Sequence, residues 1–207
     1  RAVVAPLVRI DRLPARIDPG AQAILATSRN GADALAAATA DRAVPVLAVG
    51  DATAAALRGA GFAHVRSANG DAQALAALAL RHLDPAGGPV LHARGSEIRH
   101  SPLVALREAG FDTSEAVLYR TISLDTLPDD AATCDTALVH SPGSARRLAQ
   151  ALPVLPALRD VVAISDAALA PLPASWPALR LHAATHPRED AMLDLLDALP
   201  APARATR

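Results

Sequence analysis

At 207 residues, 51% of them apolar and only four aromatic, the chain can bury one large core or two of about 100 residues each, and its composition is not that of a disordered segment. A net charge of −1 and a pI near 6.7 exclude the broad basic face that binding nucleic-acid phosphates requires. All 20 basic residues are arginine, so Schiff-base chemistry, pyridoxal phosphate attachment and the P-loop lysine are excluded, and the single Cys134 excludes an internal disulfide or a thiolate cluster.

The opening RAVVAPLVRIDRLP lacks signal-peptide architecture, and no apolar run approaches the roughly 18 residues of a membrane span, so a cytoplasmic chain without membrane contact is expected. Residues 1–14 read as an extended segment. Strand-like runs then follow at Ala23 to Ala26, Val44 to Val49, His64 to Arg66, Val90 to His92, Ala137 to His140, Val161 to Ile164 and Leu179 to His182. Helical patterns follow nearly all of them. This alternation predicts an α/β fold of open parallel sheets covered by helices on both faces.

Three segments recur in the same order at a shift of about 113 to 118 residues. AILATSRNGADAL at 23–35 matches ALVHSPGSARRL at 137–148, PVLAVGDATAAAL at 45–57 matches DVVAISDAALAPL at 160–172, and VRSANGDAQALAALAL at 65–80 matches LHAATHPREDAMLDLL at 181–196. A fourth match, VVAPLVRIDRLP at 3–14 against AVLYRTISLDTLP at 116–128, marks two paired linkers. The expected organisation is therefore a first linker strand at 1–14, a complete α/β domain at 15–115, a second linker strand at 116–128, a second α/β domain at 129–200 and a tail at 201–207. The strand, turn and helix of 88–111 have no counterpart before the first linker. By symmetry the repeat predicts a further segment of about 25 residues ahead of Arg1, belonging with the second domain.

Each repeat places a polar turn where a strand ends and a helix begins. There, backbone N–H groups and the helix dipole can hold an anion. TSRNG offers Thr27, Ser28 and Asn30, and VGDATA offers Gly50, Asp51, Ala52 and Thr53, although Ser28, Asn30, Asp51 and Thr53 also suit plain helix capping. Ser141, Pro142 and Ser144 form the matching turn of the second copy. Ser165 and Ala168 stand where the first copy has Gly50 and Thr53, which leaves Ser165 as a weaker partner. His182 and His186 are four apart, but Pro187 and the repeat put them across a strand end and a loop, so no metal site is expected. His92, His100 and His140 fall near strand ends without a partner spacing that singles one out.

The motifs VVAPLVRI, TSRNG, VGDATAAAL, GF, ARG, VLYRT and HSPGSARRL, in this order and spacing, resemble those of the uroporphyrinogen-III synthase family over nearly the whole chain. The resemblance implies two similar open parallel-sheet domains joined by a two-stranded linker, with the active site in the cleft between them. It implies a lyase of haem and tetrapyrrole biosynthesis, working as a monomer. The substrate would be hydroxymethylbilane, cyclised with loss of water and inversion of the last pyrrole ring. No metal or cofactor is implied. Tyr119, the only tyrosine, matches the family's conserved tyrosine beside the linker; a phenol of pKa near 10 can give a proton or hydrogen bond to the departing hydroxyl. Arg94 and Gly95 match the family's R-G turn, and the arginine fork suits a substrate carboxylate. Arg99, Arg120, Arg146 and Arg147 are lesser versions of the same idea, with Arg146 and Arg147 expected on a solvated helix face. The rival expectation is an impaired homologue that binds a tetrapyrrole or another polycarboxylate without turnover. A nucleotide-binding α/β protein ranks last, because no glycine-rich phosphate fingerprint is present.

Overall fold

The structure, a computed structural model, describes residues 2–17, 19–97, 100–124, 126–173 and 179–200. The chain divides into two compact units, Ile10–Ile122 and the pair Arg1–Arg9 with Ser123–Arg207.

The Ile10–Ile122 unit is built on a six-stranded sheet. Its strands are β1 (Val8–Arg12), β2 (Ala23–Ala26), β3 (Val46–Ala48), β4 (Val65–Ser67), β5 (Val90–Gly95) and β6 (Thr113–Ser123), in the spatial order β1-β6-β5-β2-β3-β4. From β6 to β4 the neighbours are parallel. The bonds Leu13 N to Leu118 O and Leu124 N to Leu7 O run β1 antiparallel to β6.

Alternation along the strands divides the core in two, as a sheet buried on both faces requires. Ile24, Ala26, Val46, Ala48, Leu91 and Ala93 face α1 (Arg29–Ala38) and α2 (Asp51–Gly59), which contribute Leu35 and Leu57. Leu25, Leu47 and Val90 face α3 (Ala72–His82) and α4 (Leu103–Glu108), which contribute Leu75, Leu78, Leu103 and Leu106. Short side chains at Ala26, Ala48 and Ala93 let α1 and α2 lie close to the sheet; Ala32 and Ala54 answer them.

Of the seven strand-like runs read from the sequence, Ala23 to Ala26 has the expected ends and the others differ from expectation by up to three residues. The largest difference is β5, expected to stop at His92 but continuing to Gly95, because Arg94 and Gly95 keep pairing with β6 through a register shift: Arg94 sits opposite Val117 and Gly95 opposite Tyr119.

The other unit carries a three-stranded parallel sheet, β7 (Thr136–Val139), β8 (Asp160–Ala163) and β9 (Arg180–Ala183), with α5 (Pro142–Ala151), α6 (Asp166–Leu169) and α7 (Glu189–Ala198). Its core gathers Val139, Leu148, Leu152, Leu158, Val161 and Ala163. At the start of β8 the buried Asp160 accepts from Arg180 Nε and Nη2 at 2.7 and 2.6 Å and pairs with His182 Nε2 at 2.9 Å, tying β8 to β9. The Arg180 bonds hold the Asp160 carboxyl below its ordinary range against the opposing effect of burial, and His182 lowers it further. Among the described residues β7 is an edge strand, and beside it runs a groove of about 770 Å³ lined by Leu7, Leu127, Leu138, Leu148, Leu158 and Leu196 among others.

Candidate active site

In the Ile10–Ile122 unit the chain lays β3 and β4 on one side of β2, then crosses back to lay β5 and β6 on the other. The β2/β5 junction is thus a topological switch point, and the space beyond the carboxyl ends of such strands is where open α/β sheets bind ligands. A recess of about 220 Å³ lies there, lined by Thr27 after β2, Val49 after β3, His92, Arg94 and Gly95 on β5, Ala72 on α3, Glu97, His100 and Tyr119 on β6. Its size suits one arm or ring of a ligand.

Tyr119 is held by its neighbours. Its hydroxyl shares a hydrogen bond of 2.9 Å with Ser28 Oγ, and Ser28 Oγ also accepts from Gly31 N at 2.9 Å as the cap of α1. The ring lies against the backbone of Gly95: a Cβ added there would stand 2.7 Å from Tyr119 Cζ, closer than packing permits. Glycine at 95 is therefore required by the tyrosine beside it. Ser96 N donates to Tyr119 O at 2.8 Å and fixes the strand where the register shifts.

Arg94 is already engaged. Its Nε and Nη2 both donate to Glu115 Oε2, at 2.8 and 2.7 Å, and Nη1 donates to Gly95 O at 2.8 Å. The fork expected to meet a substrate carboxylate meets a protein carboxylate.

The helix N-termini of this unit differ in how they are capped. Ser28 caps α1, and the Asp71 carboxylate caps α3 by accepting from Gln73 N and Ala74 N, bonds that lower its pKa. Gly50 precedes α2 without any side-chain cap, and nothing lies within 4 Å of where its Cβ would be. Of the residues expected as caps, only Ser28 serves as one. Asn30, Asp51 and Thr53 lie inside the first turns of α1 and α2, with Ala52, and Thr53 is buried.

In the other unit, Ser141 caps α5 by accepting from Ser144 N and lies 3.0 Å from Ser144 Oγ, with Pro142 opening the helix. Ser165 caps the four-residue α6 through Ala168 N. Among the remaining arginines, Arg120 pairs with Asp11 at 3.6 Å, Arg146 is exposed and Arg147 donates to Leu124 O at 2.6 Å, so Arg147 is not the purely solvated residue expected. Arg99 lies outside the described residues. His182 sits on β9 and His186 in the loop beyond, and among the described residues no group of three or more His, Cys, Asp or Glu is placed to hold a metal ion.

A family model described as Uroporphyrinogen-III synthase HemD matches residues 1–194. The chain belongs to the uroporphyrinogen-III synthase family. Its fold is similar to that of the crystal structure of uroporphyrinogen-III synthetase from Helicobacter pylori 26695, with a TM-score of 0.69 at 21% identity over 94% of this chain and 91% of that one. A mutant uroporphyrinogen III synthase from the extremely thermophilic bacterium Thermus thermophilus aligns at a TM-score of 0.47 and 17% identity, over 91% of this chain and 77% of that one. No curated protein matches.

Within this uroporphyrinogen-III synthase fold, the expected residues Thr27, Tyr119, Arg94 and Gly95 come together in one recess, and Ser28 joins them through the tyrosine. Sequence reasoning did not single out His92, which is buried and 3.3 Å from Thr27 Oγ1 through Nε2. The signal was available: a histidine inside the apolar run VLHA interrupts a strand that buries both faces. Glu115, the partner that occupies Arg94, was also missed, because cross-strand register is not written in either segment alone.

Proposed function

We propose that this chain is a uroporphyrinogen-III synthase: it cyclises hydroxymethylbilane to uroporphyrinogen III, with loss of water and inversion of the last pyrrole ring, as a hydro-lyase of tetrapyrrole biosynthesis. Family membership supports the activity. The observation that carries the site is the Tyr119 hydroxyl, held 2.9 Å from Ser28 Oγ at the switch-point recess. Gly31 N–H occupies one lone pair of Ser28 Oγ, so the serine proton is available to Tyr119 Oη and the phenolic proton to the substrate. As the carbon–oxygen bond of the hydroxymethyl group breaks, Tyr119 donates to the departing oxygen, which leaves as water. The proton lost from the attacked pyrrole carbon at ring closure restores the phenol.

Most of the rate and all of the isomer choice come from holding one conformation of the bilane, since it closes to the wrong isomer unaided. Carboxylate arms are assigned to the uncapped start of α2, where Gly50, Asp51, Ala52 and Thr53 present backbone N–H groups at a helix N-terminus, and to Thr27. Ser141, Pro142, Ser144 and Ser165 are assigned the same task in the other unit. β1 and β6, each running from one unit into the other, serve as the linker. The free Cys134 fits a reducing, cytoplasmic setting, and no helix among the described residues is long and apolar enough to cross a membrane.

The test is incubation with freshly made hydroxymethylbilane and chromatographic separation of the isomers. Isomer III must form faster than spontaneous isomer I, and Tyr119→Phe should slow it by roughly tenfold without abolishing it. Isomer I alone, at the spontaneous rate, refutes the reading. A binder without turnover is the alternative, favoured by Arg94 being committed to Glu115 and by the self-capped helices at Ser141 and Ser165. Calorimetry showing binding in the absence of isomer III would select it.

A further inference from the structure

Of the polar groups lining the recess that the mechanism leaves unused, His92 is the buried one. It lies on β5 between Leu25 of β2 and Glu115 of β6, on the face that packs against α3 and α4, and only 1% of it is exposed. Its Nε2 is 3.3 Å from Thr27 Oγ1, and among the described residues nothing meets Nδ1. Burial depresses its pKa to about 4, opposed by the Glu115 carboxylate and assisted by the Arg94 guanidinium. At neutral pH the ring is therefore uncharged and carries one donor and one acceptor. A leucine or valine here would bury the same surface without orphaning a nitrogen, so stability does not explain the histidine.

We propose that His92 contacts the bilane directly: its Nδ1 makes the hydrogen bond by which the floor of the recess holds a polar atom of the substrate. The proposal rests on the synthase reading. It adds a neutral group to the set that grips the carboxylates. The bilane can satisfy either tautomer, since its carboxylate oxygens accept and its pyrrole N–H groups donate. Thr27 Oγ1 fixes the other nitrogen and so the plane of the ring. The Arg94–Glu115 pair on the same face gains a purpose as well: with its fork closed on Glu115, Arg94 cannot place a free cation beside the imidazole.

Two substitutions separate the nitrogens. His92→Asn keeps a polar atom near the position of Nδ1 and gives up the contact with Thr27; His92→Gln reaches toward Thr27 and gives up Nδ1. The expected result is His92→Asn within about twofold of wild type in kcat/KM and His92→Gln down by roughly tenfold, with most of that loss in KM. In wild-type protein with nitrogen-15-labelled imidazoles, adding uroporphyrinogen III should move the Nδ1 resonance of His92. The opposite ranking of the variants, or activity unchanged in both, overturns the proposal. Equal losses in both leave the resonance to decide: movement sustains the contact, and a stationary Nδ1 signal means that a buried water holds it and the proposal is wrong. Isomer III from wild type with any of these negative results condemns His92 alone. Failure of wild type to make isomer III condemns the synthase reading, and this proposal with it.

Discussion

Acidification should weaken the Ile10–Ile122 unit through His92 well before the carboxylates titrate. Native His92 takes up a proton only near pH 4, whereas the unfolded chain does so near the ordinary 6.5. The unfolded state therefore binds more protons between those values, so stability is intact above pH 6.5, falls as pH drops, and levels off below 4. At 1.36 kcal/mol for each decade of pH, the full effect is about 3 kcal/mol, with about 1.4 kcal/mol already lost at pH 5.5 and about 2 at pH 5. The assay is urea denaturation of wild type and His92→Gln at pH 7.5, 6.5, 5.5 and 5, followed by far-ultraviolet circular dichroism and by Tyr119 absorbance as a probe of this unit. Titrations common to both proteins cancel in the difference. The wild-type curve should fall away from that of the variant by the amounts above. Two curves that stay parallel from pH 7.5 to 5 would refute the argument that burial holds His92 uncharged in the native state.

Gly95→Ala should cost about 1–3 kcal/mol and lower activity at least as much as Tyr119→Phe does, since the new Cβ displaces the tyrosine ring from its seat; a thermal melt and the isomer assay check both. Gly50→Asp places a protein carboxylate at the open start of α2, so the melting temperature should rise slightly while KM rises by roughly fivefold; an unchanged KM would remove α2 from the substrate site. Asp160→Asn should destabilise the other unit by about 2 kcal/mol by weakening the Arg180 and His182 bonds. Because the native pKa of Asp160 is depressed, its contribution in wild type is full above the ordinary value of 3.8 and is lost only as pH falls below it. The acid transition of that unit in wild type thus lies below the His92 window, and the Asn variant should lack it.

The strands were legible because their chemistry is local. A run such as AILA at Ala23–Ala26 or DVVA at Asp160–Ala163 has few ways to bury its side chains other than inside a parallel sheet. The places of the turns were legible for the same reason, but their capping only in part: Ser28 caps α1 as expected, Asn30, Asp51 and Thr53 do not cap, and Ser141 and Ser165, read as anion-binding residues, cap α5 and α6. What escaped was everything set by register. Nothing in ARG says that Arg94 will fork onto Glu115, or that Gly95 is glycine because a tyrosine ring lies against it; both follow from how β5 and β6 slide past each other at the register shift. Ser28 and Tyr119 were each singled out, but their bond spans 91 residues of chain and belongs to the folded sheet. His92 was read as one of several histidines near strand ends, because the depth of β5 in the sheet depends on β2 and β6 on either side.

The open flank of β7 bears on how this protein behaves in a test tube. Natural edge strands carry lysine, proline or a bulge that discourages a second strand from adding, and Thr136–Val139 carries none of these. Leu138 is also partly exposed there, beside a groove lined largely with leucine. Such a flank is a template for intermolecular pairing. Pairing through it is expected to show as light scattering that rises with protein concentration, and a flat signal would mean that the flank is covered.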